Sequence, residues 1–119
     1  MAETEQAQND TIPIRIQFGG GAELLFGNVR SHDVVVPAKA PATPSGSKQA
    51  GRPADVTFLI DWMRSNILKE REELFIEGEG IRPGILVLIN DVDWELEGEG
   101  DYLLRQGDEV VFISTLHGG

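Results

Sequence analysis

Two short segments of this 119-residue chain, 85–89 (Ile-Leu-Val-Leu-Ile) and 110–113 (Val-Val-Phe-Ile), are apolar at every position. Strands apolar at both parities belong at the centre of a sheet. A further strand is predicted at Ile12-Pro13-Ile14-Arg15-Ile16-Gln17-Phe18, whose strict alternation marks one buried face. Pro13 cannot donate to a ladder, which puts it at a sheet edge or at the start of its strand. Gly19-Gly20-Gly21 reads as a turn that needs unusual backbone angles, and the β-branched run 32–36 completes a hairpin. Only one stretch carries a helical stripe: Val56, Leu59, Ile60, Met63 and Ile67 share one face. Asp55 is placed to cap that helix, and Lys69 and Arg71 near its end suit the helix dipole. After the helix come Pro83-Gly84, the 85–89 strand, the turn Asn90-Asp91, a short edge strand in 92–96, the turn Arg105-Gln106-Gly107-Asp108 and the last strand. The expected class is therefore α+β, a mixed sheet of about five strands packed on one main helix.

Counting faces gives a second expectation. Both faces of the sheet centre are apolar, yet one helix covers only one of them. The other should expose a patch built from Leu86 and Leu88, or from Ile85, Val87 and Ile89, with part of 110–113. Such a patch marks a partner surface, and Leu86 and Leu88 are taken as its centre.

The remaining segments divide the chain. Residues 1–11 read as a disordered lead and 12–119 as a single domain. Residues 37–53 hold four of the six prolines plus Gly46 and Gly51. That composition predicts a flexible insert loop over 37–54 that does not pack. Residues 114–119 (Ser-Thr-Leu-His-Gly-Gly) form a tail.

Charge and composition exclude much chemistry. The chain contains no cysteine, so disulfides, thiolate metal sites and a catalytic thiol are ruled out. The net charge is −10, and residues 70–109, with thirteen acidic residues against three arginines, account for all of it. Direct nucleic-acid binding is not expected of such a surface, whereas a basic protein partner is. No apolar run is long enough to span a membrane as a helix. The glycine run lacks the Gly-Lys-Ser/Thr of a phosphate loop. Asp91-Val92-Asp93-Trp94-Glu95 begins like a calcium loop but puts Leu96 where that loop requires glycine. His32 and His117 have no companion ligands, and Ser114, Thr115 and His117 lie too close along an extended chain to assemble a triad. No active site and no metal site is read.

That leaves Gly118-Gly119. Two residues without Cβ can thread a narrow channel, and they leave a terminal carboxylate open to activation by adenylation.

Several longer motifs carry a resemblance. Phe18-Gly19-Gly20-Gly21-Ala22-Glu23-Leu24-Leu25-Phe26, Glu73-Leu74-Phe75, Arg82-Pro83-Gly84-Ile85-Leu86-Val87-Leu88-Ile89-Asn90-Asp91, Asp93-Trp94-Glu95-Leu96 and the final Phe112-Ile113-Ser114-Thr115-Leu116-His117-Gly118-Gly119 resemble the ubiquitin-related modifier family. These are eukaryotic sulfur carriers with a β-grasp fold. The resemblance covers about residues 12–36 and 55–119; the 37–53 insert is longer and more proline-rich than the family leads one to expect, and the first eleven residues match nothing in it.

The resemblance implies that Gly119 is adenylated by an ATP-dependent, E1-like activating enzyme carrying a rhodanese domain, then converted to a thiocarboxylate. The sulfur would pass to a tRNA thiolase complex that makes 2-thiouridine at the wobble position of cytosolic tRNAs. Gly119 would also be joined to lysines of target proteins under oxidative stress, peroxiredoxin-type proteins among them. Gly118 would keep the tail narrow, and Thr115, Leu116 and His117 would line the enzyme's groove. The protein would hold no cofactor of its own, ATP being used by the enzyme, and would reside in the cytoplasm and also the nucleus. Two alternatives stay open: a β-grasp sulfur carrier for molybdopterin or thiamine synthesis, and a non-covalent ubiquitin-like interaction module.

Overall fold

The alternating run forms β1 (Thr11–Gly19) in the computed structural model, which describes residues 10–115. Ile14, Ile16 and Phe18 are buried. The strand thus begins at Thr11, inside the stretch expected to be the lead. A glycine turn and a 3₁₀ turn (Ala22–Phe26) return the chain into β2 (Ser31–Pro37), antiparallel to β1. On the other side of β1 lies β9 (Glu109–Ser114), in parallel. Next come β7 (Ile85–Ile89) and the two-residue β8 (Val92–Asp93), each antiparallel to its neighbour. The order is β2-β1-β9-β7-β8, a mixed five-stranded sheet with β9 in the middle. Pro13 fits because its backbone edge faces β9, whose pairing with β1 starts only at Arg15.

Helix α1 (Val56–Asn66) is the one α-helix among the described residues. Its N-cap is Asp55, whose carboxylate accepts from the Phe58 N–H at 2.9 Å. Val56, Leu59, Ile60 and Met63 of the predicted stripe are buried against the sheet, and Ile67 caps the C-terminus, half-buried. Phe58 is also buried, although it lies off the stripe. It lines a cleft of about 280 Å³ between the helix, Pro41–Pro44 and residues 72–79.

Residues 37–53 are the clearest departure from the composition argument. They carry β3 (Lys39–Ala40) and β4 (Arg52–Pro53), an antiparallel pair, and bury Ala40. The segment is held by charge where apolar side chains are scarce. Lys48 Nζ reaches Asp55 at 2.9 Å and Asp101 at 2.6 Å, and Arg52 Nε reaches Asp55 at 3.1 Å. Burial alone would raise the Asp55 pKa, but Arg52, Lys48 and the Phe58 N–H hold it below the ordinary carboxylate value. The same buried carboxylate therefore starts the helix and anchors the insert. A second small hairpin, β5 (Ile76–Glu77) with β6 (Gly80–Ile81), follows the fully buried Phe75.

The short edge strand expected in 92–96 is limited to β8; Trp94–Glu97 form a 3₁₀ turn. Asn90 and Asp91 both have positive φ (51° and 71°), which suits the two-residue hairpin turn between β7 and β8.

Candidate functional site

The central position of β9 brings two turns together where the strand ends. Parallel pairing sets Gly19 of β1 beside Ile113, and antiparallel pairing sets Ile85 of β7 beside Ser114. The turns next to those two strands therefore flank the start of the tail. On one side, a Cβ on Gly20 would stand 2.2 Å from the Ser114 carbonyl oxygen, so only glycine allows this approach. On the other, Pro83-Gly84 forms a turn with Gly84 at φ 98°, and its carbonyl accepts the Thr115 N–H at 2.8 Å and the Thr115 hydroxyl. Ser114 closes β9 rather than opening the tail, and Thr115 is the exposed residue at which the chain leaves the collar.

Below the collar the core is aromatic. Phe18 and Phe26 stack at 4.0 Å between ring centroids, and Phe75 lies edge-on to Phe26 (5.0 Å) and Phe112 (5.3 Å). His32 sits against this cluster, 5.5 Å from Phe18 and T-shaped, with Nε2 3.1 Å from the Val29 carbonyl oxygen. Each buried ring contributes on the order of 1.5–3 kcal/mol by leaving water, so the collar rests on a firm base.

The other end of β9 is fixed by a polar knot. Buried Asp108 accepts from Tyr102 Oη (2.9 Å), Asn90 Nδ2 (2.9 Å) and the Arg105 N–H (2.8 Å). Asn90 Oδ1 in turn accepts from the Glu109 N–H at 2.9 Å. Burial, and then the bond to Asp108, push the Tyr102 phenol up to about 12. These bonds pin the register of β9 to the β7–β8 turn, and with it the height at which Thr115 emerges.

The sheet face away from α1 carries the second part of the site. Cross-strand pairs Leu86–Ile113 and Leu88–Val111 place four apolar side chains together on it, with Leu86 36% exposed and the other three half-buried. Ile85, Val87 and Ile89 face the core, and the latter two are fully buried. The parity left open by the sequence is thereby decided for Leu86 and Leu88. Ile113 stands beside Gly19, 3.7 Å from where a Cβ would lie there, an ordinary packing distance. The apolar strip runs up to the collar.

Of the predicted tail residues, Thr115 stands at the exit; Leu116, His117, Gly118 and Gly119 lie outside the described residues. Among the described residues no His, Asp and Glu side chains group to hold a metal ion. The collar and the two polar knots, at Asp55 and Asp108, escaped sequence reasoning. The glycine run and Pro-Gly were visible as turns, but nothing local signals that they meet across Ser114.

Comparison with known proteins bears on this arrangement. The family model described as Urm1 (Ubiquitin related modifier) matches residues 13–119. The ubiquitin-related modifier 1 of Laccaria bicolor is 58% identical over 118 residues, covering 93% of this chain and 97% of that protein. Its human counterpart is 51% identical over 108 residues, with 91% and 96% covered. The solution structure of Urm1 from Trypanosoma brucei superimposes with a TM-score of 0.67 at 39% identity, over 92% of this chain and 98% of that one. The sheet and helix are those of the ubiquitin-like β-grasp fold.

Proposed function

This chain belongs to the ubiquitin-related modifier family, and on that premise we propose that it is a sulfur carrier and protein modifier whose reacting group is the carboxylate of Gly119. The observation that carries this reading is the setting in which β9 ends. The central strand of the sheet closes in a collar where Gly20 admits the Ser114 carbonyl and Gly84 holds Thr115. A base fixed in this way four residues before Gly119 suits delivery of a carboxylate into another protein's active site.

The chemistry belongs to the partner. A free carboxylate is a poor electrophile. An E1-like activating enzyme with a rhodanese domain would adenylate Gly119 with ATP, releasing pyrophosphate. The outer sulfur of an enzyme persulfide would then displace AMP to give an acyl disulfide, and a second enzyme thiol would cleave its S–S bond, leaving the thiocarboxylate on Gly119 and a disulfide on the enzyme. The carrier supplies position and recognition, holds no cofactor, and acts as co-substrate rather than catalyst. Gly118 keeps the tail slim, while Thr115, Leu116 and His117 occupy the enzyme's groove. The strip of Leu86, Leu88, Val111 and Ile113, contiguous with the collar, docks the enzyme, and the acidic surface of residues 70–109 adds long-range attraction to a basic partner.

Downstream, the sulfur serves a tRNA thiolase complex in 2-thiolation of wobble uridine, and the activated glycine is also joined to lysines of target proteins, peroxiredoxin-type proteins among them. Both uses place the protein in the cytoplasm. The acidic charge balance supports contact with tRNA through the thiolase rather than directly.

Intact mass spectrometry after incubation with the activating enzyme, ATP and a persulfide donor tests the proposal. An oxygen-to-sulfur mass increase is expected at Gly119, dependent on ATP and lost when Gly119 is deleted, with the thermal transition of the deletion variant unchanged. An unchanged mass, with the enzyme shown active on another carrier, would reduce the protein to an interaction module.

A further inference from the structure

Strand β2 is the long edge of the sheet, with β1 on one side and, among the described residues, no strand on the other. Its ladder uses one parity only. The Phe18 N–H donates to the Arg30 carbonyl and the Ala38 N–H to the Asp10 carbonyl, both at 2.9 Å, so the even-numbered residues of the two strands face each other. The odd-numbered residues of β1 point the other way: the Arg15 N–H donates to Asp108 and the Pro13 carbonyl accepts from Gly107. By the same alternation, the N–H and C=O groups of Ser31, Asp33 and Val35 point outward from the sheet. None of them has a backbone partner among the described residues.

An open edge of this length is a template for another strand. Charge on the edge normally blunts such pairing. The one carboxylate of β2, Asp33, is neutralised by Arg15 Nε at 2.9 Å, and beside it Val35 is 57% exposed. The ends of the strand then select the occupant. Although the chain is −10 overall, this edge is bracketed by two cations. Arg30, with its side chain 80% exposed, has only a 3.9 Å contact to Glu23. Lys39 is exposed and makes no ion pair among the described residues. Lys39 opens β3 nine residues after Arg30, just past the bend at Ala38 that separates it from β2.

We propose that the outer edge of β2 binds an extended peptide by strand addition, the peptide being apolar at its centre and acidic at its ends. Backbone bonds to Ser31, Asp33 and Val35 supply the pairing, Val35 meets an apolar side chain, and Arg30 and Lys39 take the acidic flanks. A second copy of this chain fits poorly, since antiparallel β2 pairing would set Arg30 against the other copy's Lys39 within a dimer of highly acidic proteins.

The test is a titration of the isotope-labelled full chain with a synthetic peptide carrying a Val-Ile-Val-Ile centre between aspartates and glutamates, read by amide shifts and amide exchange. The amides of Ser31, Asp33 and Val35 should shift and exchange at least about tenfold more slowly at saturation. Arg30→Glu combined with Lys39→Glu should weaken binding about fivefold or more. Val35→Pro removes an outward donor and no β1 bond, so it should weaken binding while β1 amides keep their protection; if that variant loses the fold, the charge reversal decides alone. Equal binding of a peptide flanked by lysines, absence of binding, shifts confined to the Leu86–Ile113 strip, or a concentration-dependent dimer that protects the same amides would each overturn the proposal.

Discussion

Replacing Gly20 with alanine probes the collar most directly. Its φ of +65° lies in the left-handed region, which costs a residue with Cβ about 1–2 kcal/mol. The new Cβ would also stand 2.2 Å from the Ser114 carbonyl oxygen, where real contacts essentially never fall below 3.0 Å. Turn or strand end must therefore retreat by about 0.8 Å, and overpacking of this kind costs a further 1–3 kcal/mol or so. Gly21→Ala is the internal control, because Gly21 also has positive φ (102°) but nothing lies within 4 Å of its Cβ position. In urea denaturation at matched slopes, Gly20→Ala should lose about 2–5 kcal/mol and Gly21→Ala about 1–2. Because the retreat displaces the base of the tail, ATP-dependent sulfur loading by Gly20→Ala should also slow at a temperature where both variants are folded. Equal losses for the two would refute the claim that the glycine turn clamps Ser114.

Leu88→Asp should weaken binding to the activating enzyme at least about tenfold in a pull-down or calorimetric titration, with a stability loss of about 1–2 kcal/mol that leaves the protein folded, because Leu88 is half-buried on the open sheet side; unchanged binding would move the docking surface elsewhere. Asp55→Asn keeps a capping oxygen for the Phe58 N–H but removes the charge facing Lys48 and Arg52, and should cost about 2–4 kcal/mol at neutral pH. Since the folded-state pKa of Asp55 is depressed, its stabilisation is present above the ordinary carboxylate pKa of about 3.9 and is lost as pH falls through the lower folded value. The wild-type advantage over Asp55→Asn in acid denaturation should shrink over that window. Tyr102 is the chain's single tyrosine, so ultraviolet titration reads it alone, with ionisation near 12 while the protein stays folded. Its raised pKa contributes stability that is complete below about pH 10 and lost as pH rises through 12. A phenol that titrates near 10 in the folded protein would refute the part-buried Tyr102–Asp108 bond.

What the sequence determined alone was local and periodic. The alternation of Ile12 to Phe18, the stripe of Val56 to Met63 and the apolar runs at 85–89 and 110–113 each repeat at the spacing of their element, so strands, helix and their order could be read directly. Asp55 and the Asn90-Asp91 turn were legible for the same reason, because a cap or a tight turn needs only its neighbours. Tertiary structure decided whatever depends on residues distant in the chain. A strand apolar at both parities has no pattern to say which face meets the helix; packing by α1 put Val87 and Ile89 inside and left Leu86 and Leu88 out. Strands of two residues, such as β3 to β6, are too short to show a period, and Lys48 and Arg52 find Asp55 only once the insert has folded back. The meeting of Gly20, Gly84 and Ser114 follows from strand order, with β9 seated between β1 and β7. No local propensity encodes that neighbourhood; burial of Phe18, Val87, Val110 and Phe112 against one helix selects it.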